Sequence, residues 1–545
     1  FHEMGTGKSC TAIAAIEQLR YEKNKHINGA IVCAKGTGLL NNFSQELLFS
    51  CTDGRYIPDN YDKLSDLERI HRTRKITSEF YRFNTFETFA KEIAKMPDEA
   101  LAQRYSNTIF VIDEVHNLRE KDEVVRKDDD VRNFLINKRA AGLSEPLDIY
   151  KQFHRLFHVV KESKILLMSG TVMKDDPVEF ASVMNLILPL DNQFPVDKDF
   201  TKAYFNPNGT IRGDMIENMA NKTKGRISYL KAMTSDVRKV FEGRRIGDLQ
   251  HFIVYPGTMS DFQSRVYAEA YEKDRSDRSI FINSRQASLF VFPNGSYGTD
   301  GFNKYIVKRR WEARTALGRP TTAQRKKQEA STTYTLSSEL VRAINKNLTN
   351  LSQYSSKFAE TIRIILDKPK TKVLVYCEYV NGSGCILFAK ILEQFGFTQA
   401  RGDERSKGRR YALLTHQTTS QKSVQRIINR FNKDDNLDGD YISVIIGSKI
   451  ISAGFTFKNI RKEFIFTPHW NYSETAQVIA RGWRLGSHNA LIARGDQNLK
   501  VDIYQLVSIP NRAVTDAPSI DPDMYETSEK KDVAMKQIEH VVKVN

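Results

Sequence analysis

The chain of 545 residues is too long for a single hydrophobic core, and its length predicts two to four domains. A hydrophobic content of 40% with 27% charged residues is typical of a globular protein. Apolar runs stay well short of the roughly 18 residues that a membrane span requires, so we expect no membrane partner. The formal net charge of +16 favours a polyanionic partner, nucleic acid before a membrane surface, although an ordinary basic enzyme is the alternative.

The five cysteines are scattered along the chain and form no Cys-x-x-Cys pair. Such a distribution is typical of reduced, mostly buried residues in an intracellular protein. We therefore expect an intracellular, reducing location and five reduced cysteines, which are Cys10, Cys33, Cys51, Cys377 and Cys385.

A glycine-rich loop opens the chain, with the sequence Phe1-His2-Glu3-Met4-Gly5-Thr6-Gly7-Lys8-Ser9. Gly5 and Gly7 let the backbone approach an anion, Lys8 can reach terminal phosphates, and Ser9 offers a hydroxyl to Mg²⁺. The apolar run that follows predicts a buried helix whose N-terminus points at the phosphates. The sequence therefore predicts a nucleotide-binding loop, although the full pattern has a glycine where this chain has histidine.

This loop stands at the first residue, with neither an initiator Met nor a strand before it. A phosphate loop normally follows a strand, and any segment that recognises adenine would lie upstream. We therefore expect the chain to be a fragment that lacks its N-terminal part.

Residues 1–189 alternate short apolar runs with helical stretches, which predicts a parallel α/β domain. Functional residues of such a domain gather at the carboxyl ends of its strands. Continuous apolar runs, the pattern of strands covered on both faces, occur at Gly29–Ala34, Thr108–Ile112 and Lys164–Met168.

Residues 190–352 lose this rhythm and predict a mostly helical, partly irregular insertion. It contains the most basic stretch of the chain, with Tyr305 and Trp311 among its lysines and arginines. Basic side chains interleaved with aromatic ones suit a nucleic-acid backbone and its bases, whereas a solvated loop is the alternative. We expect nucleic-acid contacts from Arg309, Arg310, Lys326 and Lys327.

Residues 353–514 return to the α/β rhythm and predict a second parallel α/β domain. Residues 515–545 are polar and charged, which predicts a tail with at most a short final helix. The apolar runs of the second domain are Lys372–Tyr376, Ala412–Thr415, Ile442–Ile446, Lys462–Phe466 and Val501–Val507.

The run Thr108–Ile112 leads straight into Asp113-Glu114-Val115-His116. Downstream of a phosphate loop, an acidic pair at a strand end has a defined chemical use. Asp113 can hold Mg²⁺ through its water shell, and Glu114 can orient and deprotonate an attacking water. The pair therefore predicts hydrolysis of a nucleoside triphosphate.

At this point the sequence resembles the superfamily 2 helicases and translocases, whose second motif is a DExH tetrapeptide. The resemblance implies two RecA-like domains that bind ATP and Mg²⁺ in the cleft between them, with nucleic acid across their top. Further stretches are similar to motifs of that family in the same order, namely Ser169-Gly170-Thr171, Gly447-Ser448 through Ala453-Gly454, and Gln477 through Arg484.

The same resemblance implies roles for individual residues. Arg481 and Arg484 would be arginine fingers on the γ-phosphate, and their spacing of three would place them on one face of a helix. Gln477 would contact the nucleotide or its water. Coupling of hydrolysis to strand movement would involve Ser169, Thr171 and Gly454. Two further residues, Lys35 and Thr85, could contact the nucleic-acid backbone, although a single lysine or threonine is more often merely exposed.

Residues 2–9 resemble the Swi/Snf-related branch, and residues 285–296, 447–461 and 484–488 resemble the DExH ATPases of large cytoplasmic DNA viruses. The latter include the early transcription factor small subunit and a nucleoside triphosphate phosphohydrolase. This resemblance implies an ATPase that moves on DNA, more than on RNA, in viral transcription initiation. Its partners would be a second transcription factor subunit and RNA polymerase, in the virion and host cytoplasm. A transcript-release ATPase, a Swi/Snf-like remodelling translocase and a catalytically idle scaffold remain alternatives.

Overall fold

The computed structural model describes residues 1–3, 6–22, 26–118, 147–170, 173, 175–230, 235, 237–277, 280–309, 332–452 and 455–544. They form two compact units, one of residues 1–233 and 531–545 and the other of residues 234–530. Each unit contains a parallel sheet flanked by helices, so the predicted α/β fold class is confirmed.

The first unit is built on a sheet of four parallel strands in the order β2-β1-β3-β4. These are β1 (Gly29–Ala34), β2 (Tyr81–Thr85), β3 (Thr108–Ile112) and β4 (Lys164–Leu167). β3 is buried along its whole length, because helices cover both faces of its apolar sequence. The helices of this unit are Lys8–Arg20, Thr37–Phe49, Asp66–Thr77, Phe86–Ile93, Asp98–Tyr105, Ile149–Val159, Val178–Asn185, Asp197–Tyr204 and Gly213–Thr223.

The second unit contains a larger parallel sheet. Its order is β10-β11-β12-β9-β13-β14-β5, and β6 pairs with the far half of β14. A separate antiparallel hairpin joins β7 and β8. The strands are β5 (Arg238–Phe241), β6 (Tyr255–Thr258), β7 (Ile306–Arg309), β8 (Thr333–Leu336), β9 (Lys372–Tyr376), β10 (Thr398–Gln399), β11 (Arg410–Leu414), β12 (Val444–Gly447), β13 (Ile460–Ile465) and β14 (Lys500–Ile509).

Helices cover both faces of this second sheet and support the β7–β8 hairpin. Side chains from several of them join the strands in two buried apolar clusters. The helices are Asp261–Ser276, Ile282–Leu289, Gly298–Tyr305, Ser338–Ile344, Leu348–Ser352, Ser356–Asp367, Cys385–Gln394, Gln421–Phe431, Tyr472–Gly482 and Asn489–Arg494.

The two units are divided after residues 233 and 530, and the domain boundaries expected at residues 189, 352 and 514 stay predictions. Part of the segment expected to be an insertion belongs to the first unit, and the rest to the second. β5 and β6, which come from that segment, pair with the two halves of β14. The ten-residue strand β14 thus pairs with two segments that are distant in sequence and joins them to the second sheet.

The polar C-terminal segment forms a helix of 25 residues, Ile520–Val544. Up to residue 530 it belongs to the second unit, and from residue 531 to the first. It buries Ile520, Met524, Tyr525 and Ile538, so a few well-placed apolar side chains anchor a segment that is polar on average. None of the described helices is both long and apolar enough to span a bilayer.

The prediction of five reduced cysteines is wrong for one pair. Cys10 and Cys51 form a disulfide, whereas Cys33, Cys377 and Cys385 are buried and unbonded. Packing of the helices Lys8–Arg20 and Thr37–Phe49 brings the Cα atoms of the bonded pair to 5.2 Å, within the range of a disulfide. Their sequence separation of 41 hides this proximity in the sequence.

Candidate active site

The phosphate-loop residues lie at the start of the helix Lys8–Arg20. Gly7 precedes this helix with φ of 77° and ψ of 31°, a left-handed conformation that glycine adopts at little cost. Thr6 lies directly before Gly7 and is partly buried. Lys8 and Ser9 open the first helical turn, whose backbone N–H groups have no acceptor within the helix and can bind an anion.

Asp113 and Glu114 follow β3 directly, at the carboxyl edge of the first sheet. The Asp113 N–H donates to the Cys33 carbonyl of β1 at 2.8 Å, which fixes the backbone at that edge. Glu114 has a left-handed φ of 51°, uncommon for a residue with a side chain, and it turns the chain out of the strand. Its Oε1 atom lies 3.5 Å from Lys8 Nζ. The acidic pair and the phosphate loop therefore meet in one place.

Negative charge is concentrated at this edge. Burial and the adjacent Glu114 carboxylate raise the pKa of Asp113 to about 7, and Lys8 only partly opposes this. A divalent cation beside Asp113 would favour its ionised form. Asp113 and Ser9 also offer the oxygen atoms that Mg²⁺ prefers. The residues present thus fit a complex of Mg²⁺ with a nucleotide.

A buried hydrogen-bonded chain connects Glu114 to the segment after β4. His116 Nδ1 lies 2.9 Å from Ser169 Oγ and 3.3 Å from Glu114 Oε2. Asn117 donates from Nδ2 to the Glu114 carbonyl at 3.1 Å and lies 3.0 Å from His116 Nε2. Neither His116 nor Asn117 was predicted to have a role. The last position of the DExH pattern could have indicated a role for His116, whereas no sequence pattern indicates one for Asn117.

Lys35 and Thr85, the two predicted nucleic-acid contacts of the first unit, have local partners. Lys35 Nζ donates to Asn117 Oδ1 at 3.2 Å. Thr85 caps the helix Phe86–Ile93, because its Oγ1 accepts the Thr88 N–H at 3.2 Å. Both residues lie at the carboxyl ends of their strands, on the edge that carries the phosphate-loop site. Their contact with nucleic acid stays a prediction.

The residues predicted to be arginine fingers lie in different local structures. The helix Tyr472–Gly482 carries Gln477 and Arg481 but ends before Arg484. The expectation that both arginines share one helix face is therefore wrong. Arg484 lies in the following turn, where its Nη1 donates to Thr456 Oγ1 at 3.0 Å. The roles of all three residues toward nucleotide stay predictions.

This helix ends at Gly482 for two local reasons. A Cβ at position 482 would lie 2.2 Å from Glu463 Oε1, so a side chain there would displace that carboxyl group, and glycine is itself a poor helix former. Trp483 then leaves the helix, and its indole Nε1 donates to the Val237 carbonyl at 2.7 Å. Both features favour the end of the helix before Arg484.

Several predicted site residues fall outside the part of the chain that the structure describes. Arg309 of the basic stretch is described; it is exposed at the end of β7 and pairs with Thr333 of β8. Ser169 of the coupling residues is also described and is fully buried. The predicted residues outside the described ranges are Gly5, Thr171, Arg310, Lys326, Lys327 and Gly454.

Two protein-family models match the chain, one in each unit. The model for the type III restriction enzyme res subunit matches residues 1–174. The model for the helicase conserved C-terminal domain matches residues 356–486. The first match covers all four strands of the first sheet, and the second covers β9 to β13 of the second sheet.

Similar proteins occur in large DNA viruses. Putative helicase 009L of Frog virus 3 (isolate Goorha) is 38% identical, over 99% of this chain and 50% of that protein. A putative ATP-dependent RNA helicase of Heliothis virescens ascovirus 3e is 27% identical, over 97% of this chain and 52% of that protein. The chain thus spans about half the length of the curated relatives it matches.

A solved structure, the Sulfolobus solfataricus SWI2/SNF2 ATPase core in complex with dsDNA, covers 93% of this chain and 82% of its own, with 14% identity and a TM-score of 0.30. That score is too low to support an argument about function or detailed architecture. The two family matches, in chain order on two parallel sheets, agree instead with the motif resemblance. These matches and the motif resemblance together support a superfamily 2 helicase or ATPase, and the two α/β sheets are those of RecA-like domains.

Proposed function

We propose that this chain is the motor part of a nucleic-acid-stimulated ATPase that couples ATP hydrolysis to movement along DNA. The observation that carries the proposal is the 3.5 Å approach of Glu114 to Lys8 at the carboxyl edge of the first sheet. A docking scaffold has no use for a carboxylate held beside a phosphate-binding lysine. The arrangement therefore favours a working hydrolase over an idle scaffold.

The chemistry follows from the position of these side chains. Bound ATP and Mg²⁺ would supply the transferable phosphoryl group and a cation that spreads its charge. Lys8 and the first-turn N–H groups bind the phosphates, while Asp113 and Ser9 hold the cation. When Lys8 turns to a phosphate, the Glu114 carboxylate is released to orient a water and accept its proton.

His116 offers a route from hydrolysis to movement. It contacts both the Glu114 carboxylate and Ser169, which lies in the motif that the resemblance links to strand movement. A shift of Glu114 during the reaction would therefore change the hydrogen bonding of Ser169. Arg481 and Arg484 would add positive charge at the transferred phosphoryl group, a role that rests on the motif resemblance.

A DNA track and a role in viral transcription initiation, with a second transcription factor subunit and RNA polymerase as partners, rest on the resemblance to viral DExH ATPases. The net charge of +16 supports a polyanionic partner of either kind. RNA is the second candidate, because a relative aligned over 97% of this chain carries the name of an ATP-dependent RNA helicase.

Steady-state ATP hydrolysis by the full-length protein tests this proposal, measured alone and with duplex DNA, single-stranded DNA and RNA. We expect duplex DNA to stimulate turnover most strongly. Stimulation by RNA alone would favour the RNA-tracking candidate, and stimulation by single-stranded DNA alone would favour transcript release. Absence of hydrolysis in every condition, with the protein folded, would contradict the proposal and favour the scaffold.

A further inference from the structure

The first turn of the phosphate-loop helix carries a covalent bond that the proposed hydrolysis does not use. Cys10 follows Ser9 directly, and its Sγ is bonded to the Sγ of Cys51. Cys51 lies just beyond the helix Thr37–Phe49, where its N–H donates to the Glu46 carbonyl at 2.9 Å. The bond therefore joins the first turn of the phosphate-loop helix to the segment just after a second helix that packs against it.

These two residues are more exposed than the other cysteines in the described ranges. Cys10 and Cys51 are partly exposed, whereas Cys33, Cys377 and Cys385 are buried and unbonded. Thiol–disulfide exchange requires the attacking thiolate to reach a sulphur atom. Within the described chain, the Cys10–Cys51 pair is therefore better exposed to a small thiol or disulfide than the other three cysteines.

Glu46 links the sulphur pair to the catalytic edge. A carboxylate oxygen of Glu46 lies within 4.8 Å of both sulphur atoms. After burial and Glu114, the charge of Glu46 also contributes to the raised pKa of Asp113. The bond thus lies where its formation or loss can change the first turn of the phosphate-loop helix.

We propose that Cys10 and Cys51 form a reversible thiol–disulfide site that sets the affinity of the phosphate loop for nucleotide. The inference rests on the proposed ATP site. In the bonded form, the first helical turn is held in place before nucleotide arrives, so less ordering accompanies binding. Reduction releases this turn from Cys51, and nucleotide binding then has to order it. The bonded form is the tighter nucleotide binder.

The redox step needs a small thiol or disulfide as its co-reactant, for example glutathione. In reduction, one thiolate attacks a sulphur of the pair, breaks the Sγ–Sγ bond and forms a mixed disulfide; a second thiol then releases the protein cysteine. Overall, the protein disulfide and two small thiols give two protein thiols and one small disulfide. Two electrons and two protons pass from the small thiols to the protein, and oxidation reverses the reaction.

Two readouts on the full-length protein test the site. Alkylation after equilibration in glutathione buffers, followed by mass spectrometry, reports the state of each cysteine without reference to catalysis. Affinity for a fluorescent ATP analogue is then measured in the oxidised and reduced protein. We expect Cys10 and Cys51 to be modified together and only under reducing conditions, and the oxidised form to bind about 3- to 10-fold more tightly.

Two variants sharpen the comparison. Cys51→Ser removes the bond without altering the phosphate loop, so its affinity should match that of the reduced wild type in every buffer. Cys33→Ala, in the same unit, removes an unbonded cysteine and should keep the redox response. The reduced wild type gives the same comparison if Cys51→Ser folds poorly.

Several results would overturn the inference. These are equal nucleotide affinity in both redox states, alkylation of Cys10 and Cys51 under all oxidising conditions, or stoichiometric Zn²⁺ in the reduced protein that Cys51→Ser abolishes. Failure to bind nucleotide in either state would refute the proposed function together with this inference. Equal binding in both states would refute this inference alone.

Discussion

Glu463 is a buried acid whose replacement by glutamine should change how stability depends on pH. It lies on β13, is fully buried, and neither of its carboxyl oxygens has a hydrogen-bond partner in the described chain. Burial raises its pKa well above the usual range, and Lys239 only partly opposes this. The folded protein therefore keeps Glu463 protonated at a pH where the unfolded chain has released the proton.

The sign and size of the effect follow from this difference. Between the unfolded pKa of about 4.3 and the higher folded pKa, the folded state binds the extra proton, so stability is lost as pH rises. Each pH unit in this window lowers the free energy of unfolding by about 1.4 kcal/mol. For a unit that spans residues 234–530, that corresponds to roughly 2 °C in Tm. Glu463→Gln preserves the shape of the side chain but cannot ionise in either state.

Thermal unfolding of the wild type, Glu463→Gln and a control variant from pH 4 to pH 7 tests this reasoning. Glu272→Gln is the control, because that side chain is 64% exposed in the same unit. We expect the Tm of Glu463→Gln to approach the wild-type value near pH 4 and to exceed it increasingly toward pH 7. Parallel curves for Glu463→Gln and the wild type would refute the assignment of a buried neutral carboxyl.

The other predictions concern the proposed motor. His116→Ala should leave nucleotide affinity nearly unchanged but weaken stimulation of ATP turnover by nucleic acid about 10-fold or more, because it breaks the link between Glu114 and Ser169; unchanged stimulation would contradict this link. Arg484→Ala should lower kcat by at least 10²-fold if Arg484 is an arginine finger, whereas Thr456→Val, which removes only its hydroxyl partner, should have a much smaller effect. Charge reversal should also be made at the four basic residues Arg309, Arg310, Lys326 and Lys327. It should weaken DNA binding and reduce the slope of log affinity against log salt concentration by roughly 1 per lost phosphate contact. An unchanged slope would show that these residues do not contact DNA.

Features that depend on local sequence were predictable. The continuous apolar runs at Gly29–Ala34 and Thr108–Ile112 became strands with the same bounds, because burial on both faces leaves a direct trace in composition. Asp113 and Glu114 were placed at a strand end for the same reason. Since parallel strands end at one edge, their meeting with Lys8 also followed from general rules of α/β folds.

Features that depend on tertiary contact were not predictable. His116 meets Ser169 across 53 residues, and Cys10 meets Cys51 across 41. No periodicity in the sequence encodes either contact. The helix that carries Arg481 ends at Gly482, which packs closely against Glu463 of β13, a residue far from it in the folding pattern that the sequence predicts. Short segments such as β5 and β6 become strands because β14 pairs with them.

The role of Glu114 as the residue that activates water is the central claim, and single-turnover ATP hydrolysis by Glu114→Gln tests it most directly. The amide keeps the shape of the side chain but cannot accept a proton. We expect ATP binding within a few-fold of wild type and a hydrolysis rate lowered by about 10²- to 10⁴-fold, while Glu99→Gln, an exposed control in the same unit, stays active. Hydrolysis by Glu114→Gln at the wild-type rate would contradict the account.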